Sequence, residues 1–374
     1  MGRKTVLYDE HVRLGGRLID FHGWDLPVQY ESILAEHRHC REAACLFDTS
    51  HMGQILIRAR PADLNRITTQ NAESLAVGRG GYGFLLSEAG GILDDTVLMR
   101  LGDEAPAKHA KQAKEEFLLV VNAATADADF DWVKAHLPAN AEALKQSPNG
   151  WAKVDLQGPA SAKVLGPLTE TKLASLGYFR NTRTRVCGRD CLLSRTGYTG
   201  ELGYEVFAPG ESIAAIFREL LGHPLVKPAG LGARDSLRLE IGYPLHGADI
   251  GPDTTPFEAG LGMFIKFGHD FIGSAALRAL AAETPKRLRV AFASESRQRA
   301  WGGNEIWRGA RKVGAVTSAA FSPSLNVSIG MGYVAPEVAE PGTGLIAKTP
   351  RGDLALTVRE MPLYRNGTCR TKEL

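Results

Sequence analysis

Arg195-Thr196-Gly197-Tyr198-Thr199-Gly200-Glu201-Leu202-Gly203-Tyr204-Glu205-Val206 decides how this chain is read. Its three glycines break any helical or strict strand pattern. The flanks, Cys191-Leu192-Leu193-Ser194 and Tyr204-Glu205-Val206-Phe207, are β-prone. The segment therefore predicts a hairpin whose glycines let the backbone approach a flat ligand closely. Tyr198 and Glu205 would then face a site, since a tyrosine offers a stacking face and a carboxylate accepts two parallel N–H donors, such as those of an aminopyrimidinone edge. Taken alone, the stretch is more simply an ordinary glycine-rich hairpin.

Outward from the hairpin, strand-like and helical runs alternate. Lys153-Val154-Asp155-Leu156-Gln157-Gly158-Pro159 predicts a strand and turn before a helix over Ala160 to Leu165, and Ile213 to Leu221 predicts another helix. Nearer the N-terminus, Ile55-Leu56-Ile57 precedes a helical pattern over Ala62 to Leu75, and Phe117 to Val121 precedes one over Ala124 to Leu137. This is an α+β or α/β region. Past Glu283-Thr284-Pro285-Lys286 the pattern changes to short strands at Leu288 to Phe292, Val313 to Thr317, Ile329 to Val334 and Leu354 to Val358, which suits a small antiparallel barrel. Glu104 to Lys114 reads as a solvated connection, and no internal repeat is visible.

With 374 residues and 44% hydrophobic content, the chain has length for two or three domains. Forty-four Lys plus Arg against 42 Asp plus Glu leave a net charge of +2, which gives no reason to expect nucleic-acid binding. Five cysteines, an odd and sparse set, argue against a secreted disulfide framework. No stretch approaches the ~18 apolar residues of a membrane span, and Met1 to Val6 leads into Asp9-Glu10 without a signal-peptide core. The expected compartment is the cytoplasm.

Two groups could carry chemistry. Asp94-Asp95 follows Gly90-Gly91-Ile92-Leu93; on a strand, adjacent side chains point to opposite faces, so only one carboxylate can serve a given pocket. The alternative is a pair of solvated turn aspartates. In Gly230 to Glu240, Arg234 and Arg238 fall four apart on a helix, where they repel unless an anion such as a ligand carboxylate lies between them, or unless Asp235 and Glu240 satisfy them. Cys187 with Cys191, and His37 with His39 and Cys40, lack partners at metal-ligand spacing, so no metal is expected. Gly78 to Gly83 is no phosphate loop, although Tyr82 within it is a candidate stacking residue, and no Gly-x-Ser-x-Gly elbow exists.

Taken together, these segments resemble the glycine cleavage T-protein family of aminomethyltransferases. The resemblance runs through Leu7-Tyr8-Asp9, Gly23 to Tyr30, Leu46 to Gln54, Gly90 to Asp95, Val121-Asn122-Ala123 and Arg195 to Glu205. It continues through Gly230 to Glu240, Thr254 to Gly262, Asp270 to Gly273, Gly314 to Thr317, Ser322 to Leu325 and Met361 to Tyr364. It implies an α+β fold of two ferredoxin-like folate-binding lobes plus a C-terminal antiparallel β-barrel, three lobes around a central channel. The lobes would interleave over residues 1–282, roughly 1–52 with 140–282 and 53–139, and the barrel would take 283–374.

The same resemblance implies Asp95 as the catalytic residue. Tyr82, Asn122, Tyr198 and Glu205 would hold the pterin, and Arg234 would meet the glutamate tail. The reaction implied is transfer of a one-carbon unit from the aminomethyl-lipoyl arm of the H-protein to tetrahydrofolate, a co-substrate, with release of ammonia and formation of 5,10-methylenetetrahydrofolate. Lipoylated H-protein is the implied partner. Two positions depart from the family: Met263 stands where tryptophan is common, and His246 where tyrosine is common. The alternatives are a folate-dependent demethylase of the same superfamily and a non-enzymatic folate-binding iron–sulfur assembly protein, whose Lys-Gly-Cys-Tyr-x-Gly-Gln-Glu pattern is not met at Arg195 to Glu201.

Overall fold

The computed structural model describes residues 2–102, 114–146 and 150–372. All of the polar connection over Glu104 to Lys114 except Lys114 lies outside the described residues. The hairpin forms as its flanks predict: strands Arg189–Ser194 and Gly203–Pro209 pair antiparallel, with Ser194 opposite Glu205. They belong to a six-stranded sheet completed by Asn181–Val186, Trp151–Gln157, Ala44–Asp48 and the short edge strand Val226–Pro228. The edge strand alone runs parallel to its neighbour.

The period of two along these strands sorts their side chains. Val154, Leu156, Leu193, Tyr204 and Val206 pack with Ile213, Ile216, Phe217 and Leu220 of helix Gly210–Leu221 in one apolar core. The alternate positions Lys153, Asp155, Gln157 and Glu205 occupy the other face, and they too are buried. Glycine spacing follows from one of them. A Cβ at Gly197 or Gly203 would come within 2.0 or 2.3 Å of the Gln157 amide. Gly200, at φ +80°, would press a Cβ to 2.4 Å from Ile241. These glycines thus admit neighbouring side chains of the protein.

A second, five-stranded sheet is built from Gly53–Ala59, Arg79–Leu86, Ile92–Arg100, Glu115–Val121 and Glu142–Lys145, all antiparallel. Gly53–Ala59 lies between Glu115–Val121 and Glu142–Lys145, the order of a ferredoxin-like lobe, and helix Ala126–His136 crosses back onto it. The helix expected over Ala62 to Leu75 is confined to Pro61–Asn65. Beyond it polar side chains capture the backbone: Asn65 accepts from the Ala72 N–H at 2.8 Å, Thr68 from Gln70 at 3.2 Å and Thr69 from Phe84 at 3.0 Å. Such local bonds compete with a helical ladder.

Six strands, Leu288–Ser294, Glu305–Arg308, Arg311–Ser322, Val327–Val334, Gly344–Thr349 and Gly352–Arg359, close into the antiparallel barrel. Helix Leu231–Ile241 ties barrel and first lobe together. Its Arg238, 1% exposed, donates to Ser318 of the barrel at 2.8 Å, and its Glu240 accepts from Ser324 at 3.0 Å while pairing with Arg41 at 2.7 Å. Residues 243–249 join three elements: the Tyr243 carbonyl accepts from Arg238 of this helix at 3.0 Å, the Pro244 carbonyl accepts from Tyr198 of the hairpin loop, and His246 lies 3.9 Å from Asp94 of strand Ile92–Arg100.

Candidate active site

Asp94 and Asp95 lie on strand Ile92–Arg100 where its pairing with Arg79–Leu86 is irregular, and, contrary to the alternation of a regular strand, one Asn122 side-chain amide donates to both carboxylates at 2.8 Å. Neither is a solvated turn residue. Asp94 is fully buried and accepts both the Asn122 backbone N–H and its side-chain amide, each at 2.8 Å. Tyr82 donates its hydroxyl to Asp95 at 2.9 Å and the Asn122 amide donates to it at 2.8 Å. Burial, and next the negative charge of Asp94, raise the Asp95 carboxyl to about 7, although the bonds from Tyr82 and Asn122 pull it down. Asp129, on the first turn of helix Ala126–His136, sets its buried carboxyl against Asp94; burial, then the Asp94 charge, push it up to about 9. A carboxyl poised near neutrality is suited to accept and return a proton.

Tyr82 fixes this cluster by edge contacts with Phe84 and Phe264, ring centroids 5.3 and 4.8 Å apart. A second cluster comes from the first lobe. Tyr198 stacks on Tyr243 at 5.7 Å and 27°, and donates its hydroxyl to the Pro244 carbonyl. The Arg234 guanidinium lies 4.8 Å from the centre of the Tyr198 ring. Tyr198 and Asp95 are close enough for the Asp95 charge to help push the phenol upward, behind burial as the main cause.

Glu205 and Arg234 are joined by a chain of charges. Glu205 takes Lys153 on Oε1 at 2.9 Å and the Thr196 hydroxyl on Oε2 at 2.8 Å. Lys153 also contacts Asp155 at 3.0 Å, and Asp155 pairs with Arg234 at 3.1 Å and accepts from Thr49 at 2.7 Å. Burial alone would raise the Asp155 carboxyl, yet Lys153 and Arg234 outweigh it and hold it below the ordinary range. His51 lies against the same cluster, where burial, then Arg234 and Lys153 among the neighbouring charges, lower it to about 4. Among the described residues Arg238 pairs with Asp249 and Asp235, and Arg234 with Asp155.

The six residues named from sequence therefore fall into two clusters, Tyr82, Asp95 and Asn122 in one and Tyr198, Glu205 and Arg234 in the other, with Tyr198 near enough to Asp95 to feel its charge. Comparison with known proteins bears on what such an arrangement is for. Residues 7–269 match the model of the GCVT N-terminal domain, and residues 287–365 match the glycine cleavage T-protein C-terminal barrel domain. The chain belongs to the glycine cleavage T-protein family. A family member from Halothermothrix orenii, an aminomethyltransferase, is 41% identical over 349 residues, 92% of this chain and 94% of that protein. An aminomethyltransferase from Desulfitobacterium hafniense is 38% identical over 349 residues, 92% of this chain and 93% of its own length. Among solved structures, the glycine cleavage system aminomethyltransferase T from Bartonella henselae superposes with a TM-score of 0.89 at 32% identity, over 98% of this chain and 99% of that one.

Within this family frame, reading residue types one at a time overlooked Lys153, Asp155, Thr196 and Asp129. The signal for two of them was present: Ala152-Lys153-Val154-Asp155-Leu156-Gln157 alternates apolar and polar, which marks a strand whose second face is used. Of the two positions expected from sequence to depart from the family, His246 places Nδ1 3.9 Å from Asp94, whereas Met263 is 72% exposed.

Proposed function

We propose that the chain is the aminomethyltransferase of a glycine cleavage system, moving the one-carbon unit from the aminomethyl-lipoyl arm of an H-protein to tetrahydrofolate. The products are 5,10-methylenetetrahydrofolate, ammonia and the dihydrolipoyl carrier. The observation that carries this reading is Asp95, poised near neutrality, held by Tyr82 and Asn122, and close to Tyr198, whose ring lies under Arg234.

The residues fit the ligand. A carboxylate offers about four lone-pair positions. Lys153 and Thr196 engage one on each Glu205 oxygen, which leaves one on each for a pair of N–H donors. Tyr198 and Tyr82 supply aromatic surface, and Arg234, with its side chain 14% exposed, supplies a cation for a carboxylate tail. During transfer the folate gives up two N–H hydrogens as the carbon comes to bridge two nitrogens, while the departing amine and the sulfur each gain one. Ionised Asp95 is placed to orient the folate and accept a proton, and the Asn122 bridge to both aspartates fixes its direction.

This reading assigns residues 1–282 to the folate-binding lobes and 283–374 to the barrel, and it places the reaction in the cytoplasm. No helix among the described residues is long and apolar enough to cross a membrane. Equilibrium titration with tetrahydrofolate tests the ligand assignment: wild type should bind and Glu205→Gln should bind at least about tenfold more weakly. Wild-type protein that does not bind tetrahydrofolate would refute it.

A further inference from the structure

Lys153 has a side chain only 1% exposed, and the mechanism above uses it only as a counter-charge. An ammonium carries three N–H donors. Two are taken by Glu205 Oε1 at 2.9 Å and Asp155 Oδ1 at 3.0 Å. The third has the Met52 thioether at 3.8 Å, and Arg234 Nη2 ends on the same sulfur at 4.0 Å. A thioether is a weak acceptor, so two cations of the ligand face each direct an N–H at a poor partner beside Glu205.

An aminopyrimidinone presents two N–H donors and then a carbonyl oxygen along one edge. When Glu205 accepts the two donors, the carbonyl falls beside one of its oxygens. Next to Oε2 stands the Thr196 hydroxyl, whose single hydrogen already has two acceptors, Glu205 at 2.8 Å and Ser194 Oγ at 2.9 Å. Beside Oε1 stands Lys153, with a donor to spare.

We propose that Lys153 is a further ligand-binding residue, donating to the ring carbonyl next to the two N–H groups that Glu205 accepts, while the Met52 thioether yields its place. Asp155 is then a positioning residue that holds the ammonium toward Glu205. Glu205 and Lys153 together present acceptor, acceptor, donor, the complement of the pterin edge. The inference rests on the folate reading given above, and it extends that reading to selectivity: a ring with an amino group in place of the carbonyl sets donor against donor at Lys153 and also withdraws the ring N–H from Glu205.

The test is the ratio of dissociation constants for tetrahydrofolate and its 4-amino-4-deoxy counterpart, measured for wild type, Lys153→Met and Lys153→Gln, with circular dichroism as the check on folding. Wild type should favour the 4-oxo ligand by more than about 100-fold, because the 4-amino ring also lacks the ring N–H that Glu205 accepts. Lys153→Met should cut that ratio by about 10-fold to 100-fold, the worth of one hydrogen bond to a charged group, by weakening the 4-oxo ligand alone. Lys153→Gln, which keeps a neutral donor, should retain part of the preference and decides the matter if the methionine variant fails to fold. Equal weakening of both ligands, or an unchanged ratio in either folded variant, would overturn the proposal. Wild-type protein that binds neither ligand would instead overturn the folate reading on which it stands.

Discussion

If Asp95 accepts a proton during transfer, the pH dependence of turnover carries its signature. Its carboxyl lies at about 7, raised first by burial and next by the Asp94 charge. The ionised fraction then climbs from about one-eleventh at about pH 6 to about ten-elevenths at about pH 8, so kcat should rise roughly tenfold across that window. Asp95→Asn should remove this limb and lower kcat by about 100-fold or more, with tetrahydrofolate affinity nearly unchanged. Asp94→Asn removes the second cause of the shift, so its acidic limb should move to lower pH. An amide there keeps one acceptor for Asn122, and its loss of kcat should be smaller than that at position 95. The assay is ammonia release at saturating tetrahydrofolate across the pH range. A flat wild-type profile between about pH 6 and 8, or an Asp95→Asn profile that keeps the limb, would refute the assignment.

Arg234→Ala should raise KM for tetrahydrofolate more than it lowers kcat, because the tail lies away from the reacting carbon; a folate analogue without the glutamate should lose less affinity, and equal losses would remove the pairing. Asp129 has a folded-state carboxyl raised from 3.8 to about 9, burial being the main cause, so its contribution to stability is full below about pH 4 and is lost as pH climbs through about 9. Asp129→Asn should flatten the decline of Tm between about pH 5 and 9, and an unchanged slope would contradict the shift. Arg41, with its side chain 6% exposed, pairs with Glu201 and Glu240 at 2.7 Å each, so Arg41→Ala should destabilise by about 3–5 kcal/mol in urea unfolding; a loss under about 1 kcal/mol would contradict a structural role.

Local pattern exposed much of this fold. The Arg195 to Glu205 turn lay between β-prone flanks, and four barrel strands stood between turn residues, because alternation and glycine punctuation are short-range signals. Glu305–Arg308 and Gly344–Thr349, the other two barrel strands, are only four and six residues long and gave no comparable pattern. The helix beginning at Pro61 was overextended because Asn65, Thr68 and Thr69 bond to backbone groups up to fifteen residues away, which periodicity cannot register. Residue type alone pointed to Tyr198, Glu205, Tyr82, Arg234 and the Asp94-Asp95 pair, whereas Asn122 and the choice of Asp95 over Asp94 came only once the family resemblance was added. Lys153 and Asp155 acquire meaning through cross-strand neighbours: Asp155 sits opposite Glu205 although 50 positions separate them in the chain. Arg234 was read against Arg238, its helix neighbour, whereas its partner lies on a strand of the sheet.

Product analysis tests the central claim most directly. With aminomethyl-lipoyl H-protein and tetrahydrofolate, the protein should release ammonia and form 5,10-methylenetetrahydrofolate in equal amounts, and omitting the folate should leave only slow ammonia release, since the nucleophile and its orientation are then missing. Formation of 5-methyltetrahydrofolate from a small methylated donor, with the lipoyl carrier ignored, would contradict the account.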